Sequence, residues 1–135
     1  MIKTIVISLA LLLGVLAEAN GALMLIWPEA WYWAVPGVAI TGPFNQHFIR
    51  DIGLIYLLIG GGFLFGAAKP HLRVVVWAAT TIWLSGHALF HFWEVAVGIC
   101  GTSTIVRDFA FVTLPALLGG ALTLWAWREA RRSQT

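Results

Sequence analysis

Four apolar runs divide this chain, and each is close to the roughly 20 residues that an α-helix needs to cross a hydrocarbon core. They cover about Thr4 to Trp27, Phe48 to Ala68, Leu72 to Trp93 and Ile105 to Trp127. In lipid every backbone N–H and C=O must find its partner inside the protein, which leaves helices and closed barrels as spanning structures. Barrel strands are short and alternate apolar with polar residues, whereas these runs are continuous. The expectation is an all-α fold, a four-transmembrane-helix bundle, with residues 1–135 forming a single integral membrane domain. Only 10% of residues are charged, against about a quarter in soluble domains, so no separate soluble domain is expected. The basic residues stand at segment ends and give no nucleic-acid footprint.

Lys3, the first apolar run and Ala17-Glu18-Ala19 together imitate a cleavable secretory signal. The run nevertheless continues through "ALMLIWP" to Trp27, which is too long for a signal core, so residues 1–19 are expected to be retained. Lys3, Lys69, Arg73, Arg128, Arg131 and Arg132 fall on one side of the spans, and only Arg50 and Arg107 on the other. The positive-inside rule then puts both termini in the cytoplasm, most naturally of a bacterial inner (plasma) membrane. The other side carries Trp27, Trp31, Tyr32, Trp33 and Trp93, aromatics suited to headgroup depth. There "PEAWYWAVPG", from Pro28 to Gly37, reads as a turn of interfacial helix bracketed by Pro28 and Pro36. The tail "REARRSQT" reads as a headgroup anchor for the last helix.

The two halves look duplicated. "RDIGLIYLLIGGG" from Arg50 aligns without gaps to "RDFAFVTLPALLGG" from Arg107, sharing Arg-Asp, Leu57 with Leu114 and Gly62 with Gly119. Gly21 and Glu29 repeat the spacing of Gly86 and Glu94. Such a 2+2 duplication predicts approximate twofold symmetry about the membrane normal. Gly62 with Gly66, and Gly119 with Gly120, are expected at helix contacts inside the bundle, because close approach at small residues drives association in lipid. Pro115 is expected to bend the fourth helix, since it removes a backbone donor.

Polar residues inside such a chain are the places to look for function. Arg50-Asp51 and Arg107-Asp108 each open a helix, where a carboxylate opposes the positive end of the helix dipole and an arginine reaches the headgroups. The alternative for these pairs is an ion site that binds an anion or couples to a proton. Glu18 lies nine residues in from Trp27, deep enough that it must be protonated or paired within the bundle. Most concentrated is "GHALFHFWE" from Gly86, in which His87, His91 and Glu94 stand at i, i+4 and i+7. A step of about 100° per residue puts them in one stripe. His47 and Asp51 reach the same depth from the second helix, so a cluster of His47, Asp51, His87, His91 and Glu94 is expected.

The first reading of that cluster is a hydrogen-bonded polar seam. Imidazole and carboxylate also suit a metal, although four histidines are too few for a histidine-rich di-iron site. A bis-histidine haem would use His47 with His87 or His91, and a quinone pocket, proton-linked transport and partner recognition complete the alternatives. The duplication bears on the choice, because His87 and His91 correspond to Ala22 and Ile26. Histidine there belongs to one half only, which favours a function or a subunit contact over architecture. There is no P-loop, GxGxxG, CxxC or GxSxG, and Cys100, the sole cysteine, has no internal disulfide partner.

The layout of "FIRDIGLIYLLIGGGFLFGAAKPHLRVVVWAA", with Arg50 near the start of helix two, a glycine-rich middle and a basic turn, resembles the DoxX-like group of small four-helix bacterial membrane proteins. That resemblance implies the four-helix scaffold, with redox roles in some members. It carries over Arg50 and Gly62 as scaffold residues and no catalytic motif. The expected function is an accessory or partner-binding membrane subunit without intrinsic catalysis, a homo-oligomer or a companion of another membrane protein. The alternatives are a redox-linked protein binding haem, quinone or a metal through its outer histidines, and a small transporter or channel.

Overall fold

A computed structural model describes residues 1–132; the last three residues of the tail lie outside the described residues. All regular structure among the described residues is helical. Helix α1 (Ile2–Ile26) stops at Trp27, whose backbone leaves the helical region ahead of Pro28, as the residue before a proline prefers. Pro28 then opens α2 (Pro28–Ala34), a position at which its missing N–H costs nothing. Val35, extended before Pro36, ends α2, and Gly37 leads into the short α3 (Val38–Thr41). The expected turn of helix at Pro28 is thus present. Asn45 caps α4 (Gln46–Ala68) by accepting from the Phe48 N–H at 3.1 Å. A tight Lys69-Pro70 turn leads to α5 (Arg73–Ala96), and the last span is built from α6 (Ser103–Asp108), a π-helical turn (Phe109–Thr113) and α7 (Leu114–Arg132).

Four helical stretches are therefore long and apolar enough to cross a membrane: Ile2–Ile26, Gln46–Ala68, Arg73–Ala96 and Ser103–Arg132. Large apolar side chains such as Leu58, Val75, Ile82 and Leu117 face outward, the arrangement of an integral membrane protein whose surroundings are as apolar as its core. Inside, Phe63 and Trp77 are fully buried with Ile59, Leu84 and Leu122 around them. The Trp77 indole N–H donates to the Phe63 carbonyl at 3.1 Å.

Backbone approach at glycine sets the tightest crossing. Helices α1 and α4 run antiparallel with Gly14 opposite Gly60 and Gly21 opposite Gly53. A methyl group added at Gly60 would lie 2.8 Å from the Gly14 carbonyl oxygen, and one at Gly21 2.7 Å from that of Gly53. The expected packing glycines fare unevenly. Gly62 lies on Thr80, Gly66 on Trp77 and Gly119 on Thr81, all on α5. Gly120 has nothing nearby and contributes no contact, because it lies one residue, or about 100°, round the helix from the buried stripe. Beside Gly119, the Thr81 and Thr123 hydroxyls pair across α5 and α7 at 3.2 Å.

Arg73 departs most from a solvated headgroup arginine. Its side chain is buried, donating from Nε to the Gly66 carbonyl at 2.8 Å and from a terminal nitrogen to that of Ala67 at 3.1 Å. It thereby satisfies carbonyls that the end of α4 leaves unpaired. The indoles of Trp77 and Trp125 lie 5.3 and 5.8 Å from the guanidinium carbon, close enough for cation–π attraction.

Candidate functional site

At the end of the bundle opposite the chain termini, the loop from residue 28 to 45 folds over the helices and forms with them a half-open cavity of about 700 Å³, well inside the range of small-molecule sites. Its walls are mostly apolar and aromatic, with Trp31 and Tyr32 from α2, Ile49 and Ile52 from α4, Trp83 and Phe90 from α5, and Phe111 and Val112 from the π turn. The loop is tied down locally. The Tyr32 hydroxyl donates to the Gly42 carbonyl at 2.7 Å, and the Trp31 indole N–H donates to Asn20 of α1 at 2.9 Å.

One wall of the cavity is polar. His87 and His91 lie one turn apart on α5 with their rings edge to face, centroids 4.7 Å apart. Four residues earlier on the same stripe, Trp83 stacks on His87 at 5.0 Å and 20°. His91 Nδ1 lies 3.3 Å from Asp108 Oδ2. Asp108 in turn accepts from both faces of the Arg107 fork, at 2.6 Å from Nε and 2.9 Å from a terminal nitrogen. The Arg107 guanidinium rests on Gly37 of the loop. Glu94 lines the same space one turn beyond His91.

The helix that supplies Arg107 and Asp108 is irregular for a definable reason. Pro115 has no N–H for the Phe111 carbonyl and its ring crowds that carbonyl. The strain is taken up just before it, where the turn widens and the Leu114 N–H reaches back to Phe109. Each residue advances a helix by about 100°, so one extra residue in this turn rotates everything before it relative to α7. That rotation aims Asp108 at His91. The bend expected at Pro115 is therefore realised as a π turn, which commonly marks functional positions.

The five-residue cluster expected from the sequence is divided. His87, His91 and Glu94 face the cavity, whereas His47 pairs with Asp51 at 3.2 Å, the two side chains 87% and 55% exposed. Helix α4 turns that pair outward, so His47 cannot share a haem with His87 or His91 in this arrangement. Among the described residues, no three His, Cys, Asp or Glu side chains are grouped as a metal site. The two Arg-Asp pairs also differ. Arg50 donates to the Leu25 carbonyl at 3.1 Å and to Gln46 at 3.3 Å, tying the start of α4 to the end of α1, and only Arg107-Asp108 closes an internal ion pair. Glu18 lays its stem against Gly60 and its carboxyl beside Gly61. It has no hydrogen-bond or ion-pair partner among the described residues, so of the two alternatives expected for it, protonation or pairing, the pairing is not formed.

Sequence reasoning did not connect Arg107 and Asp108 to the histidines, because that link depends on the phase of an irregular helix. Trp83 was findable, since it extends the stripe of His87 and His91 by the same four-residue step. Gly37 carried no signal beyond following a proline.

Fold and site together define a small four-span integral membrane protein with a ligand-sized cavity at one end, walled by aromatics and carrying a His-His-Asp-Arg chain. No family model, curated protein or solved structure matches the chain.

Proposed function

We propose that this protein binds an amphipathic small molecule of the membrane in the cavity at its outer end, without catalysing a reaction on it. One observation carries the reading: a space of about 700 Å³ with a mostly apolar and aromatic lining and a few polar groups, concentrated at His87, His91, Glu94 and the Arg107-Asp108 pair. This is the distribution expected where the body of a ligand is apolar and a few polar groups fix its orientation. Of the cofactor readings, a quinone-type pocket is the one that needs neither two opposed histidines nor a cluster of metal ligands. An accessory subunit, by contrast, would carry its recognition surface on the outside of the bundle and has no use for a ligand-sized cleft. Transport is disfavoured because below the histidines the bundle closes on Leu84, Thr80, Trp77 and Phe63, all buried.

The setting of the site follows the charge distribution. With the basic residues concentrated at the end that carries the termini, the cavity lies on the outer side of a bacterial inner membrane and both termini lie in the cytoplasm. The 2+2 duplication and the DoxX-like relationship remain part of this proposal.

Native mass spectrometry of the detergent-purified protein tests the function. An amphipathic molecule bound near one per chain is expected, and Val112→Trp, whose indole would crowd the cavity beside His91, is expected to reduce its occupancy. Preparations that carry no such molecule, or carry it equally in Val112→Trp, overturn the reading.

A further inference from the structure

The two cavity histidines differ in how much of their hydrogen bonding the protein already uses, and what is left specifies a partner. Asp108 is paired with Arg107 and, as a carboxylate, can only accept. The proton in its 3.3 Å contact with His91 therefore sits on His91 Nδ1, and the neutral ring carries its free lone pair on Nε2. No other hydrogen bond to His91 is formed among the described residues. His87 makes none at all among them: Trp83 stacks on it and the His91 ring stands nearly perpendicular to it. Neutral imidazole has one donor and one acceptor, and neither histidine has a buried unpaired atom, so these groups open onto the cavity they line. Side by side, the wall offers an acceptor at His91 and a donor at His87, with ring centroids 4.7 Å apart.

A hydroxyl is the simplest group that answers both, since it donates once and accepts through two lone pairs. A carbonyl accepts only, and an ether likewise. The cavity lining also includes Trp31, Tyr32, Trp83, Phe90 and Phe111, surfaces on which a flat ring packs well. Resting on the cavity being a binding site, we infer that it selects a hydroxyl-bearing ring with an apolar tail, a phenol-class amphipath, whose oxygen bridges His87 and His91. Trp83 and Asp108 are positioning residues in this scheme: the first holds the plane of His87 and the second fixes which nitrogen of His91 faces the ligand.

The test is equilibrium binding of radiolabelled 4-dodecylphenol and of its methyl ether to the detergent-purified protein at pH 8, where an ordinary imidazole is neutral. The two probes differ by one donor. The phenol is expected to bind about tenfold more tightly, the usual margin when an analogue leaves a site's polar groups unpaired. His91→Phe keeps a ring against His87 but removes the acceptor, so it should abolish the margin while leaving the ether's affinity unchanged. Asp108→Asn, which allows the other tautomer, should reduce the margin in the same way if His91→Phe does not fold. Equal affinity of the two probes in the wild type, with both weakened in Val112→Trp, overturns the hydroxyl inference and leaves the cavity reading standing. Binding of neither probe, or binding indifferent to Val112→Trp, overturns both.

Discussion

At Gly37 two constraints coincide. Its φ of +92° lies where L side chains are strained, and the space a Cβ would take is already filled by the Arg107 guanidinium. Gly37→Ala should cost about 1–2 kcal/mol from the backbone alone and push Arg107 away from its seat, loosening the loop over the cavity. A lower thermal midpoint in detergent together with weaker probe binding is expected. Gly42→Ala is the control, because Gly42 has open space around it and an extended φ of 162°, and it should change neither. Arg73 poses the opposite case, a charge whose removal orphans its partners. Arg73→Met keeps the stem between Trp77 and Trp125 but leaves the Gly66 and Ala67 carbonyls without their donors. A loss of about 1–3 kcal/mol is expected, read as a lower denaturation midpoint with probe binding retained in the protein that remains folded. An unchanged midpoint would mean that water or headgroups replace the guanidinium there.

Helices α1 and α4 meet through glycines seven residues apart on each, Gly14 with Gly21 and Gly53 with Gly60, so one face of each helix is flat at two successive levels. Gly60→Ala must separate the backbones or displace Glu18, and overpacking of this kind costs about 1–3 kcal/mol. Gly120→Ala, on an open face, should be neutral or slightly stabilising, as alanine generally is in a helix. If thermal midpoints of the two variants shift alike, the crossing is not set by backbone contact. The spans themselves were legible in the sequence because lipid imposes one requirement on every backbone group, and the ends fell within a few residues of Thr4, Phe48, Leu72 and Ile105. His87, His91 and Glu94 were legible for the same reason, since a regular helix converts spacing into direction. The convergence with Asp108 was not, because the π turn before Pro115 shifts the phase by one residue and no spacing rule registers it. Nor was the outward turn of His47, which depends on how α4 rolls against α1.

At the scale of the whole molecule the protein is polarised along its long axis, and both the function and its test depend on which way that axis points. Lys3, Lys69, Arg128, Arg131 and Arg132 remain at the end with the termini even after Arg73 is counted as a buried helix cap. At the cavity end Arg107 is neutralised by Asp108 and Arg50 is engaged with the close of α1, so little positive charge there resists translocation. Cys100 lies in the short connection between α5 and α6, on the cavity side and partly exposed, and its thiol is free. Because it is the sole cysteine of the sequence, it reports orientation without any engineered label. A membrane-impermeant maleimide should modify it in right-side-out vesicles before permeabilisation, and in inverted vesicles only afterwards. The reverse pattern would put the histidine wall on the cytoplasmic face. The cavity would then draw its ligand from the inner leaflet, and the charge asymmetry would have to be explained by something other than the insertion rule.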